Sequence, residues 1–205
     1  MSNEKLFEYC KSGDLKAVEN EMKLGAKDYN HGLWYACHSG NISIVKYMIE
    51  LGADAYNSGL WGACSGGNLL IVKYMIELGA KDYNHGLWHA CYSGNISIVK
   101  YMIELGAKDY NHGLWYACQR EQVSIIKLML ESGATNICKY YDYKYNPDKV
   151  IALLETGLDH IYLNKIDGYD KLIVDLNNFK KETKDSIQEY LLDPIIDIIN
   201  SYSLL

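Results

Sequence analysis

A single step of 27 residues organises most of this chain. It separates Trp34, Trp61, Trp88 and Trp115, it separates Tyr29, Tyr56, Tyr83 and Tyr110, and it separates Cys10, Cys37, Cys64, Cys91 and Cys118. A fixed period between about 20 and 50 residues is the mark of a solenoid, whose units bury their apolar faces against neighbouring units. The copying is nearly literal: "NHGLWYACHSGNISIVKYMIELGA", beginning at Asn30, returns as "NHGLWHACYSGNISIVKYMIELGA", beginning at Asn84. The two stretches differ only where Tyr35 becomes His89 and His38 becomes Tyr92.

Each unit reads as helix, turn, helix, loop. "LWYACHSG" gives a first helix of about two turns with Leu33, Ala36 and Cys37 on one side at i, i+3 and i+4. Gly40 permits the left-handed backbone of a tight turn, Asn41 is placed to cap the second helix, and Gly52 ends it. In that second helix, "ISIVKYMIEL", Ser43, Lys46 and Glu50 form one polar stripe and every other side is apolar. A helix packed between two neighbouring units needs that pattern. The loop reads as the seven residues Ala53 to Gly59.

The stretch "LWYACHSGNISIVKYMIELGAD", Leu33 to Asp54, resembles the ankyrin repeat pattern in its paired small residues, inter-helix glycine, Ile44 and Val45, and closing Gly-Ala-Asp. The resemblance covers residues 4–135. It departs where His31-Gly32-Leu33-Trp34 replaces the usual Thr-Pro-Leu-His, and where the period is 27 instead of ~33. The shortening falls in the loop, so the resemblance implies a β-hairpin finger reduced to a short turn. Short-period repeats of this style are similar to those of ankyrin proteins in large DNA viruses of amoebae. The expected fold is all-α: an ankyrin-like α-solenoid of stacked helix-turn-helix repeats with shortened loops and a helical C-terminal cap.

The boundaries follow from where the pattern frays. Residues 1–32 read as an N-terminal capping repeat, because Glu21 takes the slot that Met48 fills in the next unit and a terminal unit needs a polar outer face. Residues 33–135 hold four repeats, and residues 136–160 a degenerate one with the Tyr-rich run "KYYDYKY". Residues 161–205 read as a helical module. Within it, "LLDPIIDIINSY", Leu191 to Tyr202, resembles the F-box-like tails of some viral ankyrin proteins, with Asp193 interrupting the Leu-Pro pair.

A net charge of −6 with no cluster of Lys or Arg is the wrong balance for neutralising phosphates, so nucleic acid is not expected as a partner. No run of ~18 apolar residues and no leader pattern occurs, so neither a membrane partner nor a membrane span is expected, and the chain reads as cytoplasmic (the host cytoplasm if viral) and monomeric. Five of the six cysteines occupy one repeated slot, which reads as free buried thiols and neither disulfides nor a metal site. His31, His85 and His112 share a slot ahead of Gly-Leu-Trp, read as a loop. No catalytic residue, cofactor or metal ligand is expected: Cys37 beside His38 belongs to a packing slot copied along the array, whereas a reactive thiol needs an open, electropositive site. The tryptophans read as packing between repeats, with each indole N–H bonded in the adjacent loop.

Two slots on the first helix vary freely in size and polarity. One holds Glu8, Tyr35, Gly62, His89 and Tyr116, and the other Lys11, His38, Ser65, Tyr92 and Gln119. Positions i and i+3 share a helix face, here the face opposite Leu33, Ala36 and Cys37. First helices line the concave surface of ankyrin-like stacks, so Tyr35, His38, Ser65, His89, Tyr92, Tyr116 and Gln119 are the expected contacts for a partner protein. The alternative function is a ubiquitin-ligase substrate adaptor using the F-box-like element.

Overall fold

The computed structural model describes residues 3–120 and 122–135. Expectations for Glu121, the degenerate repeat, the Tyr-rich run and residues 161–205 therefore lie outside the described residues. The chain divides into two units, Met1–Asp109 and Tyr110–Leu205. The first contains α1 (Glu4–Ser12), α2 (Leu15–Lys23), α3 (Tyr29–Ser39), α4 (Ile42–Glu50), α5 (Tyr56–Gly66), α6 (Leu69–Glu77), α7 (Tyr83–Ser93) and α8 (Ile96–Glu104). The second contains α9 (Tyr110–Gln119) and α10 (Val123–Glu131), packed as a pair. All ten elements among the described residues are helices.

In the first unit the first helices stack in the order α1, α3, α5, α7, and each pairs with the second helix that follows it. The core runs along the stack as one repeated triplet, Leu33, Ala36 and Cys37 on α3 and its copies, meeting Ile44, Val45 and Met48 on α4 and theirs. All of these residues are buried, whereas Ser43, Lys46 and Glu50 are exposed as the polar stripe requires. Only Val18 is buried on α2, which fits its charged sequence.

The first helix is longer than the apolar spacing indicates, and the loop correspondingly shorter. α3 starts at Tyr29, because Asp28 caps it by accepting the backbone N–H of His31 at 3.2 Å, and Asp82 does the same for α7 through His85. His31 and His85 therefore sit in the first helical turn and not in the loop. Gly32 is carried inside this helix for a packing reason: a Cβ there would lie 2.8 Å from the Met48 sulfur, and Gly59 meets Met75 at 2.6 Å in the same way.

The third repeat lacks the aspartate cap. Ala55 stands at the N-cap of α5 with no side-chain bond. Ala55→Asp is expected to stabilise the chain by about 1 kcal/mol, the usual worth of such a cap. Chemical denaturation checks this, and an unchanged midpoint would count against the role given to Asp28 and Asp82.

Asn41 occupies the N-cap of α4 but makes no capping bond to it. Its Nδ2 instead donates backwards to the Cys10 carbonyl at 3.1 Å. Asn68 does the same for Cys37 and His38, both at 3.0 Å. The glycine turn makes this possible: Gly40 has φ +82°, and a Cβ on it would stand 2.7 Å from Asn68 Oδ1. A second series ties the loops. Asn30 Oδ1 accepts the backbone N–H groups of Asp54 and Ala55, Asn57 those of Lys81 and Asp82, and Asn84 those of Lys108 and Asp109. In the second unit, Asn111 accepts from Thr135 in the same register. These helix and loop ends thus find their missing partners one repeat away, where an unpaired carbonyl or N–H would otherwise cost ~1–3 kcal/mol.

Candidate functional site: the first-helix face

Within the first unit the rings form two groups, one joining α1 to α3 and one joining α5 to α7. Tyr35 lies 5.1 Å from Phe7 and 4.9 Å edge-on from Trp34, with the Lys11 ammonium 4.6 Å above its ring. His38 stacks on Trp34 at 5.2 Å with the rings 5° from parallel, as the i, i+4 spacing on one helix face allows. On the next joint Trp61 reaches forward to α7, 5.0 Å from His85 and 6.4 Å from His89. His85 in turn sits 4.2 Å from Trp88, and its Nδ1 pairs with Asp82 at 2.8 Å. Trp61 thus contributes to packing between repeats. Its indole Nε1, expected to bond an adjacent loop, is instead buried with no hydrogen-bond partner among the described residues, and so is His38 Nδ1.

Tyr35, His38, Ser65, His89 and Tyr92 are each half-buried. In the second unit Tyr116 is half-buried against Trp115, 4.6 Å away, and Gln119 is exposed. The slot between Tyr35 and His89 behaves differently. Gly62 is buried, and a Cβ there would lie 2.6 Å from the Trp34 carbonyl and 3.3 Å from its ring. Four residues on, a Cβ at Gly66 would overlap the His38 carbonyl. At the joints on either side a serine hydroxyl bridges instead, Ser39 to the Cys10 carbonyl and Ser93 to the Cys64 carbonyl, both at 3.0 Å. Gly62 is therefore set by close helix approach and is not a freely varying position. The spacing Gly62-x-x-x-Gly66, found in one unit alone, was the signal in the sequence that could have revealed it.

Burial and neighbours shape the titration of this group. The His89 imidazole is pushed below its usual range, first by burial, then by the nearby His85 and His38. An imidazole with a lowered folded-state pKa binds its proton more weakly than the unfolded chain does, so stability is full above pH ~6.5 and declines as the pH falls from there through the folded value. A melting series from pH 8 to pH 5 is expected to show that decline, and His89→Gln to reduce it. An equally steep decline in the variant would remove His89 as the cause.

The thiols point the other way. Burial raises Cys10 and Cys64 to about 12, and Cys37 and Cys91 higher still. All five cysteines of the repeated slot are buried and none is part of a disulfide among the described residues. Cys37 beside His38 is thus a protonated packing group with no thiolate character at neutral pH. Thiol reagents followed by peptide mass mapping are expected to spare Cys10, Cys37, Cys64 and Cys91 at pH 8 until denaturant unfolds the chain. Labelling at the rate of a free thiol peptide would contradict this. Among the described residues no group of three His, Cys, Asp or Glu side chains converges as a metal site, and no helix is long and apolar enough to cross a membrane.

The profile described as ankyrin repeats (3 copies) matches residues 33–113 and again residues 60–140, together more than half of the chain. The chain belongs to the ankyrin repeat family. Ankyrin repeats generally serve as protein–protein interaction modules and are typically non-enzymatic. The crystal structure of the human ASB11 ankyrin repeat domain is similar at 24% identity and a TM-score of 0.48, over 63% of this chain and 69% of that one. No curated protein matches the sequence.

Proposed function

We propose that this ankyrin repeat protein binds a partner protein through its first-helix face, the concave side of an ankyrin-like stack. Tyr35, His38, Ser65, His89, Tyr92, Tyr116 and Gln119 are the contacts. The observation that carries this reading is the rings on α3 and α7: Tyr35, His38, His89 and Tyr92 stay partly open to solvent on helices whose Leu-Ala-Cys face is fully buried. Aromatic side chains held on rigid helices lose little conformational freedom on docking, and they are enriched at interfaces. The short 27-residue period, with its likeness to viral ankyrin proteins, supports a virus–host setting in the host cytoplasm, with the chain as a monomer. The second reading is a ligase adaptor, whose support is the F-box-like stretch Leu191 to Tyr202.

Partner capture from host cytoplasm tests the first reading. Serine at Tyr35, His89, Tyr92 and Tyr116 is expected to abolish capture, while Lys46→Ala, Lys73→Ala and Lys100→Ala on the opposite stripe leave it intact. The helical melt is recorded alongside, since Tyr35 also packs on Phe7 and His89 on Trp61. Capture lost with the lysines and kept with the ring variants would overturn the face. Enrichment of cullin-ligase components that depends on residues 161–205 would move the adaptor reading to first place.

A further inference from the structure

The charges on the two kinds of helix are unequal. α4, α6 and α8 each carry one Lys and one Glu, exposed in every case, whereas α3, α5 and α7 contain no Asp or Glu and together carry four imidazoles, His31, His38, His85 and His89. His31 and His85 are each paired with an aspartate, Asp28 at 2.9 Å and Asp82 at 2.8 Å. No carboxylate among the described residues pairs with His38 or His89. Protonated His38 would have two donor N–H groups, and its buried Nδ1 meets no acceptor among the described residues.

From these contacts we propose that the first-helix face receives a carboxylate-rich segment of the partner protein, which lies across α3, α5 and α7, is held by His38 and His89, and brings protons with it. The proposal rests on the first-helix reading above and adds the partner's chemistry. The groups that bear on the two imidazoles are few. α1 contributes Lys11, beside Tyr35, and exposed Glu8 in the slot aligned with Tyr35; α5 contributes no charged group; α7 contributes Tyr92 and His85 with its Asp82. Lys46 and Glu50 of α4, and Lys100 and Glu104 of α8, are exposed. An anion beside His38 and His89 replaces mutual repulsion between imidazoles with attraction, so proton uptake and binding favour each other. A polyphosphate is the poorer occupant, because its dense charge calls for clustered Lys or Arg, and Lys11 is the single such side chain described beside the α3 rings.

The full chain is titrated with fluorescein-labelled octapeptides of alternating Glu and Leu, with their Gln–Leu and Lys–Leu counterparts, and with a short single-stranded oligonucleotide. The Glu peptide is expected to bind most tightly, roughly tenfold better at pH 5.5 than at pH 7.5. That pH dependence should vanish in the His38→Gln/His89→Gln chain. Proton NMR of the wild-type imidazoles provides a readout that needs no variant: the His89 midpoint should move up when the Glu peptide saturates the chain. An unmoved midpoint, a Glu peptide that fails to bind, Glu and Gln peptides that bind alike at pH 5.5, or an oligonucleotide that binds as well overturns the proposal. If Glu and Gln peptides bind alike and Tyr35→Ser/Tyr92→Ser removes both, the face stands and the carboxylate does not. If the Glu preference is lost only on changing Lys46, Lys73 and Lys100, the first-helix reading fails with it.

Discussion

Gly62→Ala is expected to lower the melting temperature by roughly 5–10 °C, corresponding to about 2–3 kcal/mol of overpacking. Helix propensity alone gives the opposite sign, since alanine inside a helix is normally worth ~1 kcal/mol more than glycine. The contact decides the outcome. The new methyl group would lie 2.6 Å from the Trp34 carbonyl, 3.3 Å from its ring and 3.4 Å from the His38 backbone nitrogen. Two of these three are backbone atoms of α3, which can yield only by moving the helix. Gly62 has no positive φ, so the whole penalty is steric. Gly66→Ala should act in the same direction, through the His38 carbonyl. A Gly62→Ala chain that melts at or above the wild type would mean that α3 and α5 are not in backbone contact.

Asn68→Ala is expected to cost about 2 kcal/mol, because it strips the donor from two partly buried carbonyls, Cys37 and His38, at the end of the preceding first helix. The more informative comparison is Asn68→Asp. At an ordinary N-cap Asn and Asp are nearly equivalent, so an N-cap role would leave that variant close to wild type. Here the side chain makes no capping bond to α6 and its amide points backwards, so aspartate would set a carboxylate against two carbonyl oxygens. Asp is therefore expected to be worse than Ala in a urea melt. The reverse order would return Asn68 to the role of a local cap.

What the sequence made legible is what depends on short-range periodicity. The repeated triplet of Leu, Ala and Cys marked the buried face, the Ser-Lys-Glu stripe marked the exposed one, and the regular cysteine slot marked free thiols. What it concealed depends on partners a full repeat away. Asn41 and Asn68 look like caps for the helices they precede, and nothing local shows that their amides bond to carbonyls around 30 residues back. Gly32 and Gly59 look like breaks before a helix, because the Met48 and Met75 sulfurs that require them lie on another helix. The ring group was half-legible: variation at Tyr35/His89 and His38/Tyr92 drew attention to the face on which these rings lie. The role of Trp61 as the contact joining α5 to His85 and His89 needed coordinates.

The backward-pointing asparagines also bear on how such an array changes length. The modules built on α3 and α5 supply, through Asn41 and Asn68, the donor that the module before them lacks, and leave open a carbonyl, Cys37 or Cys64, that Asn68 or Ser93 of the module after them fills. A spliced-in or excised copy therefore preserves hydrogen bonding at both seams, as a bead does on a string with matched couplings. The module built on α5 and α6 is the exception. Its two glycines are fitted to Trp34 and His38, so moving it behind a different neighbour would leave a seam loose where it is now closed.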